Sequence, residues 1–306
     1  MILSYDVKQG DEGKTVQTIL KYELNLSASM IRRLKNVQSI YSGDKKVYTT
    51  HKPTIGERIW VDITSAEPPC DIVPEDGEIE IIFENEGLIA VNKPSGLITH
   101  PSHARYTGTL ANFVCGYLEK TYGDGRSHSV NRLDRDTSGV VLFSKNSHFK
   151  DRASIALQAE DSSKEYLAIV MGKMPVLCGT IDKPIKRLRE QELLRVIAPD
   201  GQRAVTHYVT EKTGEINGRE ISLLRLRLET GRTHQIRVHC LSCGCPLLGD
   251  IMYYTDESRV LSEELNISKQ ALHAEKLIFR EPISGEILEL IAPVSRDDMA
   301  DIIKML

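Results

Sequence analysis

Apolar positions in the first 64 residues recur at helical spacing and then at strand spacing. Over residues 15–26 they fall at Val16, Ile19, Leu20 and Leu24, the rhythm of a helix with one buried stripe. Ser27 offers an N-cap for a second short helix carrying Ile31 and Leu34, with Arg32, Arg33 and Lys35 on its polar side. Residues 37–41, a turn at Ser42-Gly43-Asp44, residues 45–48 and, after Pro53-Thr54-Ile55-Gly56-Glu57, residues 58–63 then read as short strands. The pattern predicts two helices followed by a small hairpin-rich sheet. It lapses at Ser65-Ala66-Glu67-Pro68-Pro69 and Pro74-Glu75-Asp76-Gly77, a proline-rich polar stretch with the composition of a linker. The chain therefore divides into a module at 1–64, a linker at 65–78 and a body at 79–306.

The body opens with strand-like runs at 79–83 and 88–94 around the turn Glu84-Asn85-Glu86-Gly87. Pro94-Ser95-Gly96 ends the second strand, and His100-Pro101-Ser102-His103 extends a loop. Residues 110–118 read as a helix closed by Gly123-Asp124-Gly125. Then comes the most informative stretch, Asn131-Arg132-Leu133-Asp134-Arg135-Asp136-Thr137-Ser138-Gly139, running directly into Val140-Val141-Leu142-Phe143. Two acids and two arginines sit immediately before a buried strand. Such charges are rarely buried unpaired, so the segment belongs at the lip of a core, where catalytic groups tend to sit.

Composition narrows the class. The apolar and charged fractions of the 306 residues are those of an ordinary soluble protein, and no apolar run approaches the roughly 20 residues that cross a bilayer. Asp6, Asp11 and Glu12 come too early for a secretory signal, so the expectation is a cytoplasmic protein. The 6 cysteines lack a regular spacing and read as reduced thiols. A net charge of −4 does not advertise a nucleic-acid binder, but it is uneven: residues 1–64 carry ten Lys/Arg against seven acids, +3, leaving −7 for the rest. That balance fits a small binding module with a local basic surface joined to an acidic body.

In an extended Arg132-Leu133-Asp134, alternation places Arg132 and Asp134 on one face and Leu133 on the other. A carboxylate beside arginines stays ionised at neutral pH, as a nucleophile or base requires. Asp136, directly before Thr137-Ser138-Gly139, reads first as a turn-forming or capping residue. Acids two apart on one strand are badly placed to flank a sugar from opposite sides, which argues against a glycosidase.

Residues 132–139 resemble the signature of RluA-type pseudouridine synthases, and further segments follow in that family's order. Asn92-Lys93-Pro94-Ser95-Gly96 is similar to its opening strand, and Lys164-Glu165-Tyr166-Leu167-Ala168-Ile169-Val170-Met171-Gly172 to its second motif. Glu229-Thr230-Gly231-Arg232-Thr233-His234-Gln235-Ile236-Arg237-Val238-His239, followed by Pro246-Leu247-Leu248-Gly249-Asp250, resembles its third; Leu272-His273-Ala274 and Ala292-Pro293 resemble its close. The resemblance spans residues 79–294. It implies an α+β catalytic domain on a mixed, largely antiparallel sheet.

The same resemblance implies site-specific conversion of uridine to pseudouridine in structured RNA, with neither metal nor cofactor. Large-subunit ribosomal RNA is the first expectation for the target and transfer RNA the second. Asp134 would be the catalytic aspartate, by attack on the sugar, addition to the base, or abstraction of a sugar proton. Arg237 would pair with that carboxylate, Tyr166 would stack on the target base and take part in proton transfer, and Arg132 would enter the RNA as the uridine is extruded. Without the resemblance, Tyr166 reads as a core or edge tyrosine, Arg237 as a residue lining a helix that begins near Thr233, and Gly231-Arg232-Thr233 as an anion-binding turn. Position 131 departs from the family pattern, which most often has His where this chain has Asn131.

Residues 13–63 resemble an S4-like RNA-binding module in which the basic second helix and the following hairpin form the RNA surface. Arg32, Arg33 and Lys35 would then touch phosphates, which position without reading sequence. One departure is Gly13-Lys14-Thr15-Val16 in place of an Arg-Leu-Asp start. The crowding of His239, Cys240, Cys243 and Cys245 suggests zinc, but no second ligand pair completes a tetrahedral set, so thiols without metal are expected. A monomer is expected. Two rival functions are a catalytically silent RNA-binding or ribosome-assembly protein and a nucleoside hydrolase that releases uracil.

Overall fold

The computed structural model describes residues 1–102, 105–190, 192–294 and 298–306. His103, part of the loop singled out above, lies outside the described residues. The first 66 residues contain β1 (Ile2–Asp6), α1 (Val16–Tyr22), α2 (Ala28–Asn36), β2 (Ile40–Ser42), β3 (Lys45–Lys46) and β4 (Arg58–Asp62), followed by a short 3-10 turn at Thr64–Ala66. The four strands pair in the order β1-β4-β2-β3 and hold Ile59, Val61 and Ile40 against Ile19, Leu20, Met30 and Leu34 of the two helices.

The helical stripes are where the spacing places them, but α1 ends at Tyr22 instead of Leu26. The amides of Leu24 and Leu26 reach back to the carbonyls of Ile19 and Leu20, and Asn25 takes a left-handed φ of 52° that turns the chain out of the helix. Strand β1 was not expected. It pairs antiparallel with β4 from Ile2↔Asp62 to Asp6↔Arg58, and its half-exposed residues give little alternation to read.

The polar stretch after Ala66 is strapped onto the body. Glu75 N–H donates to Asn112 O at 3.0 Å, Asn112 Nδ2 donates to Val73 O at 2.8 Å, and Ile72 and Ile79 join the core beneath. Arg33 departs from the expected phosphate face for a related reason. Its guanidinium donates to Ala66 O and to Ser147 Oγ, both at 2.8 Å, tying α2 to the body, whereas Arg32 and Lys35 are exposed.

The body comprises β5 (Glu80–Glu84), β6 (Leu88–Lys93), α3 (Leu110–Tyr122), β7 (His128–Ser129), β8 (Ser138–Ser144), α4 (Ser147–Ala156), β9 (Ser163–Met171), β10 (Cys178–Asp182), β11 (Ile185–Arg187) and β12 (Arg195–Ile197). It continues with β13 (Val205–Ile216), β14 (Arg219–Leu228), α5 (Gln235–Ser242), α6 (Asp256–Glu264), β15 (Leu272–Arg280), β16 (Ile287–Ile291) and α7 (Asp298–Met305). One large sheet runs β10-β13-β14-β9-β15-β8-β6-β5, with β16 added to β15 and β7 to β8. Every pairing in it is antiparallel except β8 with β15, so the fold is α+β on a mixed, largely antiparallel sheet.

The centre of that sheet explains the unbroken apolar run at 140–143. Val140 and Leu142 face Phe149, Ala153 and Leu157 at α4, while Val141 and Phe143 face Leu110, Val114 and Leu118 of α3. A strand covered on both faces carries no polar alternation. Burying each such side chain contributes on the order of 1.5–3 kcal/mol, which anchors the N-terminal edge of β8 and the polar loop before it.

Candidate active site

The loop at 131–137 is held at nearly every residue. Asn131 acts as a surrogate strand: its Oδ1 accepts from Leu142 N–H at 2.7 Å and its Nδ2 donates to Val140 O at 3.2 Å. Thr99 Oγ1 donates to Leu133 O at 2.9 Å, Ser95 Oγ to Asp136 O at 2.8 Å, and Gln270 Nε2 to Thr137 Oγ1 at 2.7 Å. Leu133 packs into the α3-side core, leaving Arg132 and Asp134 to line an open cleft of about 520 Å³. Gly139 is obligatory here, since its φ is +111° and an added Cβ would collide with the carbonyl of Ala274 across the parallel β8–β15 junction.

Lys93 is the interior support of this loop. It is fully buried, and its ammonium donates to the carbonyls of Pro94 at 3.0 Å, Leu97 at 2.7 Å and Arg135 at 2.7 Å. Burial pushes its pKa down to about 7, against the opposing pull of Asp136 and Asp134. The two acids of the loop have separate partners. Asp136 lies in the turn and takes a forked contact from the adjacent Arg135, at 2.9 and 2.8 Å.

Asp134 meets residues far along the chain. Arg237 Nη1 donates to its Oδ2 at 3.1 Å, and His234 Nε2 lies 3.7 Å from the same oxygen. Among the described residues Oδ1 carries no protein hydrogen bond, and the side chain keeps 31% of its exposure. Arg237 is itself clamped: Nε and Nη2 donate to Asp250 Oδ2 and Oδ1 at 2.6 and 2.8 Å, and Asp250 is wholly buried. Burial works against the arginine's charge, but the bonds and charges of Asp250 and Asp134 outweigh it and hold its pKa above the ordinary value. Asp250 Oδ1 also accepts the amides of Met252 and Tyr253. Arg237 rides on α5, which begins at Gln235 after His234 adopts a left-handed φ of 57°.

Tyr166 lines the same cleft from β9, its ring packed against the core of Ala168, Leu226, Ile236 and Leu272. Desolvation first, and the Asp134 charge second, push its hydroxyl up to about 12, so it carries its proton at neutral pH. His234 is displaced downward by burial and by the charges of Arg237 and Arg195, with Asp134 opposing. Its Nδ1 meets the Tyr253 hydroxyl at 2.8 Å, and that hydroxyl accepts the Arg195 amide at 2.8 Å.

The fold thus gathers Arg132, Asp134, Tyr166 and Arg237 around one cleft, while Arg32, Arg33 and Lys35 are not among its lining. Sequence reasoning quoted His234, Asp250 and Lys93 only as parts of motifs and did not reach Tyr253. Lys93 was the readable one, since a lysine inside the fully buried strand Leu-Ile-Ala-Val-Asn-Lys must be satisfied internally. One amide of the expected anion turn is engaged locally, Arg232 N–H donating to Gln235 Oε1 at 3.0 Å. His239 is likewise committed to protein partners, Nδ1 at Thr206 Oγ1 and Nε2 at Lys183 O, both 2.9 Å.

Comparison with known proteins fits this geometry. Residues 87–242, from β6 through α5, match the family model described as RNA pseudouridylate synthase. An uncharacterised RNA pseudouridine synthase of Bacillus subtilis is 35% identical over 95% of this chain and 93% of its own length. Ribosomal large subunit pseudouridine synthase D of Vibrio cholerae is 40% identical over 74% of this chain and 70% of its own. The solved structure of human RNA pseudouridylate synthase domain containing 1 superposes with a TM-score of 0.57 at 25% identity, covering 74% of this chain and 86% of that one. The chain belongs to the RNA pseudouridylate synthase family, and the reaction it carries out is the isomerisation of uridine in RNA.

Proposed function

We propose that this enzyme converts specific uridines of large-subunit ribosomal RNA to pseudouridine, with Asp134 as the catalytic carboxylate. The observation that carries the reading is the asymmetry of that carboxylate: Oδ2 is fixed by Arg237, and Oδ1 carries no hydrogen bond from the described residues beside the cleft. In the isomerisation the N1–C1′ bond breaks, the base turns, and a C5–C1′ bond forms while C5 gives up its proton and N1 gains one. An anchored, ionised carboxylate serves the sugar or the base through its free oxygen. Tyr166 sits against the base with a hydroxyl able to donate, and Arg132 enters the space left by the extruded nucleotide.

Residues 1–64 act in this proposal as an S4-like RNA-binding module, presenting Arg32 and Lys35 to phosphates while Arg33 fixes the module to the body. The enzyme works as a cytoplasmic monomer. Similarity to the large-subunit enzyme of Vibrio cholerae favours ribosomal RNA as target. The test is Asp134→Asn, which removes the charge and nearly preserves the shape, assayed by chemical mapping of pseudouridine in ribosomal and transfer RNA. Loss of pseudouridine at sites in large-subunit RNA with retained RNA affinity is the expected result. Unchanged modification refutes the role of Asp134, loss confined to transfer RNA refutes the target, and release of free uracil by the wild type would mark a hydrolase.

A further inference from the structure

Beside the uridine cleft lies a second groove of about 360 Å³, between the β11–β12 hairpin and the turn at 231–233, and Gly231, Arg232 and Thr233 line both. We propose that this groove binds the phosphodiester backbone of the RNA strand leading away from the target nucleotide, through Arg187, Arg195 and Arg232. The inference rests on RNA being the substrate and not on which RNA it is.

Charge is the first argument. Arg187 and Arg195 are register partners across the hairpin, so two guanidiniums stand on one face directly opposite each other, an arrangement that costs stability unless an anion comes between them. Among the described residues each is satisfied only by backbone: Arg187 Nη1 donates to Glu190 O at 2.7 Å, Arg195 Nη1 to Leu193 O at 2.9 Å, and Arg232 Nε to Arg203 O at 3.0 Å. Carbonyls hold the side chains without cancelling their charge. Among the described residues no carboxylate pairs with any of the three, and the groove's one acid, Asp200, is engaged by Lys186. Three guanidiniums without a carboxylate partner among the described residues are thus gathered around one concavity, and planar guanidiniums match phosphate oxygens.

Rigidity is the second argument. The Arg195 amide bonds the Tyr253 hydroxyl, which meets His234, whose other nitrogen lies 3.7 Å from Asp134. The hairpin is therefore fixed relative to the catalytic carboxylate, so a strand held in the groove delivers its neighbouring nucleotide to the cleft in one register.

The test measures binding of a fluorescent twelve-nucleotide oligouridine to the full-length protein as a function of salt. For single strands each phosphate contact contributes about 0.7 to the slope of log affinity against log salt, so Arg187→Gln/Arg195→Gln is expected to flatten the slope by about 1.4. Affinity at low salt falls about tenfold or more, and in modification assays the loss falls mainly on KM. Arg232→Gln alone flattens the slope by about 0.7 and serves if the double variant does not fold. Arg189→Gln, at the hairpin tip and already paired with Glu192, leaves the slope unchanged. A wild-type slope in either groove variant, at an unaltered melting temperature, overturns the proposal. Because the readout is binding, a failure to find pseudouridine in ribosomal RNA would defeat the target assignment and leave this measurement intact.

Discussion

Asp250→Asn isolates the clamp that holds Arg237. In the wild type, Asp250 receives Arg237 through two bonds of 2.6 and 2.8 Å, with 0% of its side chain and 5% of the arginine's exposed. Asparagine keeps one oxygen for the amides of Met252 and Tyr253 but turns an amide N–H₂ toward a guanidinium N–H, donor against donor. Arg237 then remains buried with Asp134 as its single counter-charge among the described residues. Breaking one side of a buried pair costs about 3–5 kcal/mol, and the surviving Asp134 contact puts this case near about 3 kcal/mol. At 2–4 °C per kcal/mol for a domain of this size, the melting temperature should fall by about 6–12 °C. Activity should fall as well, because the arginine loses the fork that aims it at Asp134. The companion variant Arg237→Met/Asp250→Asn removes both charges together and keeps an oxygen for the amides of Met252 and Tyr253. It should recover part of the lost stability while staying inactive, since no uncompensated buried charge is left behind. Thermal unfolding followed by circular dichroism, with kcat and KM from the same preparations, reads both effects. A single variant that melts within about 2 °C of wild type with full kcat, or a double variant less stable than the single, refutes the account.

Two other perturbations address the groups beside the carboxylate. Tyr166→Phe keeps the ring packed on the cleft wall and removes a hydroxyl that has no protein partner among the described residues, so kcat should fall about 10²-fold or more while RNA affinity and melting temperature hold. Undiminished turnover would leave the ring alone in use. Lys93 gives a pH dependence: burial holds its folded pKa near 7, whereas the unfolded chain keeps that proton to about 10.4. The unfolded state thus binds more protons between those values, stability rises with pH, and this residue should add about 2 kcal/mol from pH 7 to 9. Urea unfolding at both pH values checks it, with Lys93→Met as reference; equal slopes in the two proteins count against it.

Periodicity made the local structure around the site readable, because each rule it uses is local. The unbroken run after Gly139 announced a strand buried on both faces, and the polar residues before it had to emerge at that strand's end. Likewise Ser27 caps α2 because a serine followed by a stripe at Met30, Ile31 and Leu34 specifies a helix start without tertiary help. Strand β1 was hidden for the converse reason: its order comes from pairing with β4, some sixty residues away, and its side chains barely record it. Arg33 shows the same limit at one residue. Helical spacing puts it on a polar face, but whether that face meets solvent, RNA or the body depends on where Ser147 lies.

The site itself divides along the same line. That Arg135 is taken by Asp136, leaving Asp134 for an arginine about a hundred residues later, follows from geometry that neither residue's neighbours reveal. Motif order suggested Arg237, but nothing in its spacing pointed to Asp250 as the residue that makes it usable. The reason is energetic. A guanidinium buried to 5% exposure beside a carboxylate that is itself 31% exposed needs a second, closed carboxylate to offset its desolvation. Any sequence that places Arg237 against Asp134 at this depth therefore requires an acid on the far side of the arginine. In this chain the turn after Gly249 supplies it, because its φ of +71° and its close approach to the Lys269 carbonyl bring Asp250 beneath α5.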